Sequence, residues 1–203
     1  MNHFIYNEDT RIHTLDGRVI PSVTQVIAPL SDFSMIPPKV LERKCELGKE
    51  FHKAIELYML DDLVMDSLDP DIVKPMETFI EWWEQERNKN IFVVAEKPYC
   101  HLTLKYCGKP DIVMMNGVYD IKLRLYNKTT DPLQMVSYEH LLHNEIDRFG
   151  DKFKRVLSFD IKGKLKIHDA RNSQAWPMFQ AMLKQWKDTQ KFNELLKTWK
   201  ENN

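Results

Sequence analysis

Asp111, Asp120 and Lys122 are the residues of this chain whose types and spacing suggest chemistry. Two carboxylates that converge are oxygen donors for a hard divalent cation, and a lysine beside that cation adds positive charge where a phosphodiester under attack gathers negative charge. The Asn116-Gly117 pair between the aspartates predicts a two-residue type I′ hairpin joining 111–115 to 118–122. Counting outward from that turn pairs Met115 with Val118, Met114 with Tyr119, Val113 with Asp120, Ile112 with Ile121 and Asp111 with Lys122. Paired residues share a face and faces alternate along a strand, so Asp111, Val113, Asp120 and Lys122 project to one side. Ile112, Met114, Tyr119 and Ile121 cover the other. Asp111 and Asp120 become diagonal neighbours, with Cα atoms roughly 7–8 Å apart, close enough to share a cation at about 2.0–2.6 Å from each oxygen.

An aspartate facing a lysine on adjacent strands is commonly a surface ion pair, worth about 0–1 kcal/mol. The second aspartate separates the two readings. Two carboxylates on one face repel, and one lysine offsets that only in part, whereas a divalent ion resolves it.

Several other residues have the chemistry to complete such a site. Gly48 lies inside a long helical pattern, where glycine costs about 1 kcal/mol relative to alanine, so it marks the approach of another backbone or of a ligand. His52 follows one turn later on the same face, and Glu56 one turn beyond that. A neutral imidazole at His52 can ligate Mn²⁺ or Mg²⁺, and the plainer alternative is a half-buried histidine bonded to Glu56 or to a carbonyl. Gln134 and Tyr138 are four residues apart on one helix face; they can clamp a phosphate or orient the lysine, or form an ordinary surface pair. Glu96 ends an apolar strand, and is either a third acidic group at the metal or a solvated strand end.

The elements that must position these residues follow from periodicity and punctuation. Short strands over 11–15 and 18–20 meet at an Asp16-Gly17 turn, and Ser22 with Gln25 forms a capping box that opens a short helix through Ala28. A helix over 39–59 buries Val40, Leu41, Cys45, Phe51, Ile55, Tyr58 and Met59. After an acidic loop over 61–71, a second helix carries Met76, Phe79, Ile80 and Trp83, with Pro75 limiting its first turn. Strands are expected over 91–95 and 102–107, ahead of the hairpin. Asp131-Pro132 then caps a helix running to about Ile146. Strands over 153–159 and 164–168 join around Gly163. The last segment, 173–200, reads as packed helix, with Trp176, Phe179, Leu183, Trp186, Phe192, Leu195, Leu196 and Trp199 as core rather than as a base-stacking platform. This order predicts an α/β or α+β domain. No G-x-G-x-x-G or Walker sequence supports a doubly wound nucleotide-binding fold.

Size and charge narrow the classes further. The chain's 203 residues suit one domain, with a core over about 20–170 and C-terminal helices over about 173–200. Its 29 basic and 30 acidic side chains give a net charge of -1, so a nucleic acid would be held by a local patch rather than by bulk charge. Three cysteines without a C-x-x-C pair argue against a disulfide framework or a tetrahedral zinc site and fit a reducing cytoplasm. No signal peptide and no 18-residue apolar run are present, which predicts a soluble protein with no membrane partner.

In order, Gly48-x-x-x-His52, Pro110-Asp111, Asp120-x-Lys122 and Gln134-x-x-x-Tyr138 resemble the motifs of the PD-(D/E)XK nuclease superfamily, in its RecB-like, phage-exonuclease branch. Residues 21–28, Pro-Ser-Val-Thr-Gln-Val-Ile-Ala, and the segment 39–52 also look like the N-terminal region of small phage-encoded members. The resemblance covers about residues 20–140. It implies a restriction-endonuclease-like α/β core with a central mixed sheet flanked by helices. It also implies Mg²⁺ or Mn²⁺ held by His52, Asp111, Asp120 and the Ile121 carbonyl. Lys122 would position or deprotonate the attacking water, while Gln134 and Tyr138 would support the site and the DNA backbone. The implied activity is hydrolysis of DNA phosphodiesters, as an exonuclease on linear DNA in recombination, repair or phage DNA processing, in the cytoplasm or a host's cytoplasm. A homo-oligomer or a separate recombination protein would be the partner. Relatives with an iron-sulfur cluster use four cysteines, and this chain has three, so no cluster is expected. The competing class is a non-catalytic nucleic-acid-binding or interaction protein on the same scaffold.

Overall fold

A computed structural model describes residues 3–7, 10, 12–146 and 153–201, with the side chains of 144 and 145 left aside. Strands β1 (Phe4–Asn7), β2 (Ile12–Leu15) and β3 (Arg18–Ile20) form a small antiparallel sheet. The β2–β3 turn places Asp16 and Gly17 at φ 51° and 76°, the left-handed pair that the Asp-Gly signal demands. Helix α1 (Val23–Ile27) starts at the Ser22–Gln25 capping box, with both reciprocal hydrogen bonds present. Helices α2 (Pro38–Met59) and α3 (Pro70–Glu86) follow, then β4 (Phe92–Ala95), β5 (Tyr99–His101), β6 (Tyr106–Gly108), β7 (Ile112–Met114) and β8 (Gly117–Lys122). The described chain ends with α4 (Thr130–Glu145), β9 (Phe153–Phe159), β10 (Leu165–Asp169) and α5 (Ala175–Glu201).

The fold is α/β, built on a mixed five-stranded sheet in the order β10-β9-β8-β7-β4. Only β8 and β9 run parallel, a pairing that needs a crossover, and α4 lies in that connection. One face packs Ile112, Met114, Tyr119, Ile121, Leu157 and Phe159 against α2 and α3. The opposite face sets Val113, Val118 and Val156 against α1, α4 and α5. Helix α4 is buried from Thr130 to Glu139, as expected of a helix enclosed on all sides.

Several expectations need correction. The β7–β8 pairs are Ile112 with Tyr119, Val113 with Val118 and Met114 with Gly117, so Met115 and Asn116 make the turn and no type I′ turn forms at Asn116-Gly117. Gly117 has no positive φ; a Cβ there would stand 2.2 Å from the Phe153 carbonyl oxygen, so this glycine serves the close approach of β9. Each residue's partner shifts by two positions. Because the side-chain period is two, the faces are unchanged.

Residues 102–107 do not form one strand; β5 turns through Leu102–Lys105 into β6. Pro75 does not limit a first turn. Asp69 caps α3, Pro70 takes the position where a missing N–H costs nothing, and Pro75 is buried one turn further in. Asp131 is inside α4 rather than its cap; the Asn127 side chain accepts from the N–H groups of Thr129 and Thr130 instead. In α2 the buried face is Leu47, Phe51, Ala54 and Ile55, while Val40 and Cys45 are exposed. The last segment is one helix, of which Ala175, Phe179 and Leu183 are buried. From residue 188 onward it is exposed, so Phe192, Leu195, Leu196 and Trp199 are not core.

Candidate metal centre

The sheet ladder between β7 and β8 stops at Ile112 and Tyr119, leaving Asp111 one step beyond it. There its Oδ2 accepts from the Ile121 N–H at 2.6 Å, and its carbonyl accepts from the Glu96 N–H at 3.1 Å. The aspartate is thereby fixed at the sheet end by two backbone bonds. Glu96 reaches the same place through an irregularity of its own strand: β4 shifts register between Phe92 and Val94, and Glu96 has φ 52°. A bulge followed by a left-handed residue re-aims a side chain, and such strain persists where the surroundings enforce it.

His52 comes from the middle of α2. Its Nδ1 lies 3.4 Å from Glu96 Oε1 and 3.5 Å from Asp111 Oδ1. These three residues form a group that could hold a metal ion, with their ligand atoms all within 4.8 Å of one another. Ligands about 2.0–2.2 Å from one ion sit roughly 3.0–3.5 Å apart, so the two His52 distances are those of atoms able to share an ion. Glu56, the alternative partner of His52, pairs instead with Lys53 at 3.0 Å.

Asp120, at 1 % exposure, lies beside this group on β8. Its Oδ1 accepts from Lys122 Nζ at 3.1 Å and from Gln134 Nε2 at 3.0 Å. Its buried Oδ2 makes no hydrogen bond and meets the Lys122 ammonium as an ion pair at 2.9 Å. Gln134 Nε2 also donates to Tyr138 Oη at 2.9 Å. Both α4 residues are therefore buried at the site rather than a surface pair. Tyr138 fits there because β6 offers Gly108 to its ring; a Cβ on Gly108 would stand 2.7 Å from Tyr138 Cε1.

Charge is tightly linked across the group. Burial pushes the His52 imidazole down, but Asp111 and Glu96 outweigh it and raise it to about 9. Burial raises the Asp111 carboxyl to about 7; His52 and Lys122 oppose that rise while Asp120 and Glu96 add to it. For Glu96, burial is outweighed by the hydrogen bond with His52 and by Lys109, 2.6 Å from its Oε2, and its carboxyl is lowered. Burial disfavours the Lys122 ammonium, yet Asp120 and Asp111 hold its pKa above the ordinary value, so it remains a cation. Burial, with Asp120 and Asp111, raises the Tyr138 phenol well above its usual value and keeps its proton in place.

All this opens onto a cleft of about 920 Å³ whose walls include His52, Glu96, Lys109, Asp111, Lys122, Arg124 and Tyr138. No protein-family model matches the chain, and no curated protein does. The reading of the site therefore rests on its own geometry. Of the residues expected there, His52 and Asp111 meet as potential ligands with Glu96, while Asp120, Lys122, Gln134 and Tyr138 form the adjoining hydrogen-bonded set. Gly48 lines the same cleft with nothing within 4 Å of where a Cβ would stand, so no backbone packs against it. Lys109 was not apparent from spacing; its position two residues before Asp111 was the available signal.

Proposed function

We propose that this chain is a metal-dependent deoxyribonuclease of the PD-(D/E)XK type, with a restriction-endonuclease-like core and the RecB-like, phage-exonuclease arrangement of motifs. The observation that carries the reading is the convergence of Asp111, Asp120 and Lys122 on one sheet face, met by His52 from α2, Glu96 from β4, and Gln134 and Tyr138 from α4.

His52, Glu96 and Asp111 would hold Mg²⁺ or Mn²⁺, with Asp120, ion-paired to Lys122, acting on the charge of Asp111. A bound divalent ion supplies Lewis acidity to the phosphate and lowers the pKa of a water nucleophile. Lys122, held as an ammonium, places positive charge in the cleft where the non-bridging oxygens gain negative charge. Asp120 orients that ammonium, and Gln134 fixes Asp120. Tyr138 accepts from Gln134, so its own proton is available to a phosphate oxygen. Glu96, clamped by Lys109, keeps His52 turned toward Asp111.

The preference for an exonuclease comes from the order of the His52, Gln134 and Tyr138 motifs. The test is incubation of the protein with linear and closed circular DNA, with Mn²⁺ and with chelator. Mn²⁺-dependent loss of linear DNA alone, abolished in Lys122→Ala and Asp120→Ala, is the expected result. Cleavage of circles would make it an endonuclease, and retained DNA affinity without any cleavage would overturn the enzyme reading.

A further inference from the structure

Tyr6 and His13 also line the cleft, although neither belongs to the metal group or its hydrogen-bonded neighbours. They are direct partners across β1 and β2, and their rings stack with centroids 4.6 Å apart and planes 20° from parallel. Phe4 stacks on the far side of His13 at 6.1 Å. His13 is 8 % exposed, yet its buried Nδ1 has no hydrogen-bond partner among the described residues. Burial lowers the His13 imidazole below its usual value, so the ring backs Tyr6 as a neutral stacking partner.

The stack shares its cleft with Lys109, which pairs with Glu96 at 2.6 Å, and Glu96 in turn meets His52. Lys44 and Lys49 of α2 line the same cleft and can follow a phosphate backbone. A volume of about 920 Å³ lies at the upper end of what encloses a drug-sized ligand, roughly 300–1,000 Å³. That admits a few nucleotides of one strand.

We propose that Tyr6, backed by the His13 ring, forms a nucleobase subsite, in which Tyr6 stacks on a base of a single strand next to the phosphate being cut. The proposal rests on the nuclease reading for the position of the cut, and base–aromatic stacking supplies the affinity without strong sequence preference. The test measures binding of a short single-stranded oligothymidylate to the Lys122→Ala protein by fluorescence anisotropy, beside Mn²⁺-dependent cleavage by the wild type. Tyr6→Ala should weaken binding about tenfold and raise KM by a similar factor with kcat little changed. Tyr6→Phe, which keeps the ring, should restore both. An oligonucleotide with one abasic residue next to the cut should reproduce the loss in the wild type, and should cost nothing further in Tyr6→Ala. That arm needs no altered protein and so stands apart from folding.

Equal affinity of Tyr6→Ala and wild type, indifference to the abasic residue, or a blunt duplex bound as tightly as the single strand would overturn the subsite while leaving the nuclease intact. Ring-dependent binding without cleavage would uphold the subsite and sink the nuclease. Neither binding nor cleavage would sink both.

Discussion

Two charged clusters are buried on the sheet face that α4 covers, and they are built differently. At one end of the parallel β8–β9 pair, Lys154 stands beside Val118 and donates to Glu139 of α4 at 2.5 Å; each side chain is little more than a tenth exposed. At the other end, Asp120 stands beside Val156 and Lys122 beside Ser158, with Gln134 and Tyr138 arriving from the same helix. In the first cluster one anion and one cation are in direct contact, with the His143 imidazole 3.9 Å from the same carboxylate. The second sets Asp111, Asp120 and Glu96 among His52, Lys109 and Lys122, opens onto a cleft, and leaves Asp120 Oδ2 and Ser158 Oγ without hydrogen bonds. A closed pair fastens a helix to a strand. An unsatisfied acidic group facing a cleft is able to take a ligand, at a cost in stability while it is empty.

The sharpest contrast should appear in activity. On the proposed nuclease reading, Lys122→Met should lower Mn²⁺-dependent cleavage of linear DNA by about 10²–10³-fold, because it would remove positive charge from where the transition state gains negative charge. Lys154→Met, assayed under conditions where it is folded, should leave the rate per folded molecule unchanged. A comparable loss in both would erase the distinction between the clusters.

Urea unfolding should report on the closed pair. Lys154→Met leaves Glu139 buried without its partner and should cost about 3–5 kcal/mol in urea unfolding, whereas pairing it with Glu139→Leu should return most of that. If the single and double variants unfold alike, the pair contributes nothing to the attachment of α4.

Next is the dependence on pH and metal. His52 rises from 6.5 to about 9 and Asp111 from 3.8 to about 7, both above their unfolded values. Each therefore contributes stability that is complete below the unfolded pKa and lost as pH rises through the folded one. These two groups should lower the urea midpoint of the metal-free protein from about pH 3.8 to 7 through Asp111 and from about pH 6.5 to 9 through His52. Mn²⁺ should reverse the fall by taking the place of the protons, adding about 2.7 kcal/mol at a hundred times its Kd. A flat pH profile, or one indifferent to Mn²⁺, would mean that the acidic cluster is as closed as the other.

The smallest effect concerns Gly48. Gly48→Ala meets nothing within 4 Å and should stabilise α2 by about 0.5–1 kcal/mol in urea unfolding, yet it adds a methyl group to the cleft wall and should weaken DNA binding. Tighter binding would show that substrate does not pass this wall.

Local rules carried much of the fold. The Ser22–Gln25 box, the Asp16-Gly17 turn and the strands at 92–95 and 153–159 lie where capping, turn and alternation signals place them. They depend only on neighbours in the chain. The Asn116-Gly117 turn failed because the close approach of Phe153 governs that glycine. The apolar spacing of α5 said nothing of how far the body of the protein extends to cover it, and it stops short of Phe192.

The sequence by itself determined which side chains share a face: Asp111, Asp120 and Lys122 stay together although the pairing moved, because a shift of two positions preserves strand parity. Only the tertiary structure decided which groups meet across elements. The bulge in β4 and the left-handed Glu96 turn that carboxylate to His52, Lys109 clamps it, and Tyr6 with His13 stacks at the cleft wall. The Glu96–His52 contact spans 44 residues and is set by how the layers pack, a property that no short window of sequence contains.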